Sequence, residues 1–303
     1  MIGTDAPLFG RVITAMITPF DDSDKIDFKA VEKLVNHLIQ TGTSAIVVSG
    51  TTGESPTLDA SEKKDLLKSV LETAGKRAKV IMGTGSNNTR HSVEASKEAE
   101  KLGAHGLLVV APYYNKPSQA GLLAHFGEVA NNTSLPIFVY NIPGRTGINI
   151  TSETMLKMVE KHKNIYALKD STGSVDQAGE IAGDARQDFR IYSGDDYLTL
   201  PFLSVGAAGV ISVASHVVGA PIKEMCDAYF EGKQDKAREL HYKYLPIFKA
   251  LFAAPNPTCV KYALSKMGLC KENLRLPLIP LDAQQKSTLD KVLQHLAPSA
   301  SAV

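Results

Sequence analysis

AIVVSG, residues 45–50, is an unbroken apolar run, and the next periodic segment, SEKKDLLKSVLETA at 61–74, sets Leu66, Leu67, Val70 and Leu71 on one face. A run without polar alternation suits a parallel strand buried on both faces, and the 3.6-residue spacing after it predicts a helix. The same unit recurs along the chain. VITAMIT (12–18), KVIMGTG (79–85), GLLVVAPYY (106–114), PIFVYN (136–141), IYALK (165–169), RIYSG (190–194) and GVISV (209–213) are further strand candidates. Among the intervening segments, FKAVEKLVNHLIQ (28–40) places Val31, Leu34, Val35, Leu38 and Ile39 together before a stop at Gly42. Segments 118–130 and 152–161 each open on a serine suited to capping. Eight such units with right-handed crossovers predict an α/β fold, a parallel sheet closed into a (β/α)8 or TIM barrel. The alternative is an open doubly wound sheet. The first strand-to-helix turn has no dinucleotide fingerprint, which counts against it.

After Pro221 the strand pattern stops. Segments 222–230, 235–253, 257–267 and 283–296 read as helices, with the proline-broken RLPLIPL (275–281) before the last. The tail APSASAV (297–303) is expected to fray. No linker rich in Gly, Ser or Pro separates two independent units. The expected organisation is a catalytic barrel over 1–220 with a C-terminal helical appendage over 221–303 packed on it.

A chain of 303 residues can bury a sufficient core without disulfides or metals. Its 33 Lys and Arg against 32 Asp and Glu leave a formal net charge of +1. That gives no basic surplus for a nucleic-acid backbone, and no basic amphipathic stretch marks a membrane surface. The three cysteines, Cys226, Cys259 and Cys270, are odd in number and lack CxxC spacing. They argue against a disulfide framework or zinc site and for a reducing compartment. MIGTDAPLFGRVITAM lacks the basic flank and apolar core of a signal peptide, and no apolar run matches a bilayer. The expected location is the cytoplasm, and the expected partners are small molecules.

Barrels of this kind place their chemistry at the C-terminal strand ends. The polar residues there are Thr51, Thr52 and Glu54, then Thr84, Tyr113, Tyr114 and Asn115. They continue with Tyr140, Asn141, Arg145, Lys169, Gly194, Asp195 and Asp196; Ile211 and Ser212 lie in the last strand. Lys169 is the most informative. Burial at the end of IYALK disfavours a charged ammonium, and the free amine is what attacks a carbonyl to form an imine. The plainer reading is a structural ion pair with Asp170 or Asp195. Tyr140 could relay protons beside an imine if a hydroxyl partner such as Thr51 supported it; otherwise it is a core aromatic at the rim. Arg145, in NIPGRTG, is either a bidentate carboxylate ligand or a solvated loop arginine. GTTGES (50–55) has the small residues and hydroxyls of an anion cradle but not the GK[ST] ending of a P-loop. GTGSNNT (83–89) reads as a tight turn with a cap. The histidines have no metal spacing, and His37, His91, His105, His125 and His162 are assigned ordinary surface roles. Asp195 and Asp196 lack an evident third ligand, so neither metal nor cofactor is expected.

Taken in order, GTTGES, PYYNKPSQ (112–119), YNIPGRTG (140–147), the Lys169 strand with KDSTG, SGDD (193–196) and GVISV form a joint motif set. PNPTCVKYALSKMGL (255–269) and LRLP (274–277) complete it. On these the chain resembles, over essentially its whole length, the dihydrodipicolinate synthase family within the pyruvate-dependent aldolases and N-acetylneuraminate lyases. The resemblance implies that Lys169 forms an imine with pyruvate, whose enamine attacks L-aspartate 4-semialdehyde on the route to diaminopimelate and lysine. It implies a proton relay of Tyr140, Thr51 and Tyr114, the last from a neighbouring subunit of a homo-oligomer, for which a tetramer is favoured and a dimer is the alternative. Thr52 matches the pyruvate-carboxylate site, Arg145 the semialdehyde-carboxylate site, and Gly194 and Ile211 pocket carbonyls.

One departure concerns regulation. Lysine-inhibited members carry histidines shortly after GTTGES and a glutamate in the helix after strand three. Here those positions hold Ala60, Lys63 and His91, although Ser55, Asn87 and Tyr113 remain. A diamino inhibitor would lose its acidic partner and meet an added positive charge, so lysine feedback is expected to be weak or absent. Two rivals remain: another pyruvate aldolase, such as an N-acetylneuraminate or 2-keto-3-deoxy-sugar acid lyase, and a non-catalytic keto-acid-binding barrel.

Overall fold

The computed structural model describes residues 7–296, so the tail at 297–303 lies outside the described residues. Eight parallel strands close in sequence order: β1 Val12–Ala15, β2 Ala45–Val48, β3 Lys79–Gly83, β4 Gly106–Val110, β5 Ile137–Asn141, β6 Ile165–Asp170, β7 Arg190–Ser193 and β8 Gly209–Ser212. Strand β1 pairs with both β2 and β8, which seals the barrel. Around it run α1 Phe28–Gln40, α2 Ala60–Ala74, α3 Thr89–Lys101, α4 Gln119–Asn131, the short α5 Pro143–Thr146, α6 Ser152–Lys161, α7 Val175–Asp184 and α8 Thr199–Ser204. Then follow α9 Ser215–Phe230, α10 Gln234–Ala250, α11 Thr258–Lys266 and α12 Ala283–Gln294. The sequence-based division at 220/221 falls inside α9, next to its non-helical Val218 and the internal Pro221.

The period-two alternation of a strand sorts its side chains into two layers. In β2, Ala45 and Val47 face the barrel interior while Ile46 and Val48 join the layer beneath the helices. The interior is filled by Ile13, Val47, Ile81, Leu108, Phe138 and Ile211, among others. At the N-terminal end Phe9 packs edge-on against Phe138, ring centroids 5.0 Å apart, and the Tyr192 hydroxyl donates to the Gly10 carbonyl at 2.9 Å. Apolar packing closes that end, and the polar groups gather at the other.

Several boundaries differ from the sequence reading for local reasons. VITAMIT contributes only Val12–Ala15 to the ladder; the chain then turns across the rim toward Phe20. Helix α2 begins one residue early because Asp59 caps it, in a capping box with Glu62. Helix α6 is capped by Thr151 rather than by Ser152, whose hydroxyl instead donates to Glu180. His125 is not a surface residue. It is buried between α3 and α4, its Nδ1 3.0 Å from the Thr89 hydroxyl, and burial pushes it down to about 4.

Candidate active site

Alternation along β6 turns Ala167 inward and Leu168 outward, which brings Lys169 back to the interior. Lys169 is 5% exposed and stands in register between Tyr140 on β5 and Tyr192 on β7. Its Nζ lies over the Tyr140 ring, 4.2 Å from the centroid. Among the described residues no direct ion pair to Lys169 is present, so its pairing with Asp170 or Asp195 is not seen.

Asp170 and Asp196 are otherwise engaged. Asp170 accepts from the Thr172 N–H at 2.8 Å and its hydroxyl at 2.7 Å. Asp196 is fully buried and accepts from the Ser212 hydroxyl and from the Val213 and Ala214 N–H groups, at 3.1 and 2.9 Å, tying β7 to the start of α9. Asp195 is pushed up to about 6 by burial, against the opposing pull of the Lys169 charge. A carboxyl raised from 3.8 holds a proton in the folded chain that the unfolded chain has lost, so stability falls as pH rises from about 4 to about 6. Asp195→Asn removes that penalty. Denaturant unfolding should show the variant more stable by about 3 kcal/mol at pH 7 and no different at pH 3.5; equal stability at pH 7 contradicts this.

The GTTGES turn after β2 brings Thr51, Thr52 and Glu54 to the same rim. Glu54 sits in the left-handed region at φ 53°, and a Cβ at Gly53 would lie 3.1 Å from the Met16 carbonyl oxygen, so the turn fits tightly. Glu54 proves to be an anchor. One carboxylate oxygen lies 2.5 Å from Lys261 Nζ, with side chains 1% and 0% exposed, and the other accepts from the Arg275 N–H at 3.0 Å. Thr52 Oγ1 accepts from Asn256 Nδ2 at 2.9 Å. Sequence reading missed Asn256 and Lys261. The available signal was a lysine in the otherwise buried run Cys259–Val260–Lys261–Tyr262–Ala263 of α11.

A cavity of about 760 Å³ opens at the barrel mouth, walled there by Thr51, Tyr113, Tyr140 and Arg145, and extends between α2 and α3. Lys169, Thr52, Gly194 and Ile211 are not part of that wall; Lys169 stands behind the Tyr140 ring. At Gly194 the chain packs closely: a Cβ would fall 1.9 Å from the Ser171 hydroxyl, which would have to turn aside, and 3.0 Å from the Asp170 carbonyl oxygen. Arg145 projects from α5, just after β5, and is exposed. Tyr114 is not brought to the cavity: it is 89% exposed, at φ 72° on the loop after β4.

The model of the dihydrodipicolinate synthetase family matches residues 8–296. The chain belongs to this family. The 4-hydroxy-tetrahydrodipicolinate synthase 1 of Halalkalibacterium halodurans is 51% identical over 281 residues, covering 93% of this chain and 95% of that one. A dihydrodipicolinate synthase crystal structure from Bacillus anthracis is 48% identical with a TM-score of 0.93, covering 95% of this chain and 98% of that chain. A Cyanidioschyzon merolae structure with lysine bound is 44% identical with a TM-score of 0.94, covering 95% and 98%.

In this member of the dihydrodipicolinate synthetase family, the arm of the cavity between α2 and α3 is lined by Ser55, Ala60, Lys63, His91 and Tyr113. Burial pushes Lys63 down. Glu94 and Glu98 line the same arm, and Glu98 pairs with Lys64 at 2.8 Å. An acidic group therefore lies one helical turn beyond His91, which the sequence reading did not count.

Proposed function

We propose that this chain catalyses the 4-hydroxy-tetrahydrodipicolinate synthase reaction, condensing pyruvate with L-aspartate 4-semialdehyde through an imine on Lys169. The observation that carries the reading is a buried lysine, without a direct ion pair among the described residues, beside Tyr140 at the C-terminal end of β6, in a chain of this family. The free amine adds to the pyruvate carbonyl, and loss of water from the carbinolamine gives the imine. Loss of a methyl proton then gives an enamine, which attacks the aldehyde carbon. The semialdehyde's own amine next attacks the imine carbon, closing the ring and releasing Lys169. The imine nitrogen is the electron sink, so the chemistry calls for no cofactor or metal.

Tyr140 and Thr51 move the protons, completed by Tyr114 from a neighbouring subunit. Extreme exposure and the left-handed backbone of Tyr114 support that reach into a second copy, within a homo-oligomer taken to be a tetramer. Thr52 receives the pyruvate carboxylate, the Gly194 and Ile211 carbonyls face the keto acid on Lys169 behind the cavity wall, and Arg145, exposed on that wall, receives the semialdehyde carboxylate. We place the enzyme in the cytoplasm; none of the described helices is long and apolar enough to cross a membrane.

The test is turnover of both substrates, with Arg145→Ala separating the second from the first. A bidentate charge-assisted contact is worth enough that kcat/KM for semialdehyde should fall by about 10- to 100-fold, while borohydride trapping of pyruvate stays at the parent level. Loss of trapping, or unchanged semialdehyde turnover, contradicts the assignment of Arg145. Ala60, Lys63 and His91 still favour weak lysine feedback, Glu94 notwithstanding. Activity assayed against added lysine should hold through the submillimolar range; half-inhibition there overturns the expectation.

A further inference from the structure

The C-terminal segment meets the GTTGES turn at two buried points, and they do different things. Lys261 neutralises Glu54 and holds the turn in place. Asn256, on the turn between α10 and α11, reaches Thr52, 204 residues earlier in the chain. An amide nitrogen is a donor only, so the contact fixes Thr52 Oγ1 as its acceptor. A hydroxyl that accepts on its oxygen keeps its own hydrogen to give. Among the described residues, Thr52 Oγ1 has no second hydrogen-bond partner that could take it. Among the described residues Asn256 Oδ1 is buried without a partner, so the bond to Thr52 is the one side-chain hydrogen bond the amide makes. This arrangement spends a buried amide on orienting one hydroxyl.

We propose that Asn256 is a positioning residue for the keto-acid carboxylate: by donating to Thr52 Oγ1 it compels that hydroxyl to act as a donor toward the substrate anion. The proposal rests on the reading of Thr52 as the pyruvate-carboxylate site. It makes the helical appendage part of the binding machinery, because a residue beyond the barrel sets the polarity of a residue on its rim. A carboxylate accepts hydrogen bonds and never donates them, so a Thr52 hydroxyl turned to accept would present a lone pair to an anion. Asn256→Asp creates that situation. The new carboxylate accepts the Thr52 hydrogen and adds a negative charge near the anion, at almost unchanged shape. Asn256→Ala leaves the hydroxyl free to rotate.

The experiment is a double-mutant cycle read by borohydride trapping across a pyruvate titration, with Thr52→Val as the second arm and thermal unfolding recorded for every variant. In the parent background, Asn256→Ala should raise the half-saturating pyruvate concentration about tenfold, the worth of one well-directed hydrogen bond to a charged group. Asn256→Asp should raise it further. In both variants kcat at saturating pyruvate and KM for the semialdehyde should stay within about twofold. In the Thr52→Val background the same substitutions should change half-saturation by less than about twofold, since the group through which Asn256 acts is gone. Asn256→Asp keeps the side chain's shape and gives the same reading where the truncation unfolds. An unchanged half-saturation in Asn256→Asp, or additive effects across the cycle, overturns the proposal while leaving the imine intact. No adduct on Lys169 in the parent protein overturns the imine reading and this proposal together.

Discussion

Lys169→Ala is expected to lower kcat/KM by on the order of 10⁴-fold or more, the scale seen when a covalent nucleophile is removed. The account leaves no substitute. Among the described residues the other fully buried lysine is Lys261, and its ammonium is bound to Glu54 and to the Asn273 carbonyl at 2.7 Å. The fold should survive the change. Lys169 makes no direct ion pair, so its truncation costs Asp195 only the longer-range pull of that charge, and thermal unfolding should stay close to the parent's. Activity assay and thermal unfolding on one preparation separate these claims. Loss of activity together with unfolding would mean that Lys169 is structural.

Lys261→Met should do the reverse, with a large loss of stability as its first effect. It strands the Glu54 carboxylate in a site where the pair is 1% and 0% exposed, and breaking a buried pair from one side costs about 3–5 kcal/mol. The double variant Glu54→Gln/Lys261→Met removes both charges and should recover most of that loss, to within about 1 kcal/mol of the parent. Equilibrium denaturation measures all three variants. If Lys261→Met alone is within error of the parent, Glu54 is not the anchor described here. Because Glu54 ends the turn that carries Thr51 and Thr52, the single variant should also bind pyruvate more weakly at temperatures where it is still folded.

The barrel was legible because most strand candidates are continuous apolar runs and the helix candidates keep a 3.6-residue face, two patterns that burial imposes directly on sequence. Strand ends were less so. Met16, Ile17 and Thr18 read as a continuation of β1, yet the ladder ends with one bond from the Met16 N–H to the Val47 carbonyl at 3.0 Å, and Ile17 and Thr18 are buried without strand pairing. His125 shows the same limit from the other side. A histidine on a helix looks solvated until a neighbouring helix, here carrying Thr89, packs over it.

Strand-end logic put Lys169, Tyr140, Arg145 and the GTTGES turn at the C-terminal end of the barrel, where the structure has them, because a closed barrel leaves polar groups one place to collect. It could not locate Asn256 or Lys261, which lie more than 200 residues from the turn they hold. Their contacts arise only when the appendage folds back over the barrel mouth. Nor could it assign Tyr114, which stands 89% exposed at φ 72° on the loop after β4, outside the cavity lining.

The most direct test is to incubate the protein with pyruvate, reduce with borohydride, digest, and identify the modified peptide by mass. The account predicts one pyruvate-derived secondary amine, on the peptide that contains Lys169, absent without pyruvate and absent from Lys169→Ala. An unmodified Lys169, or an adduct that persists in Lys169→Ala, would contradict it.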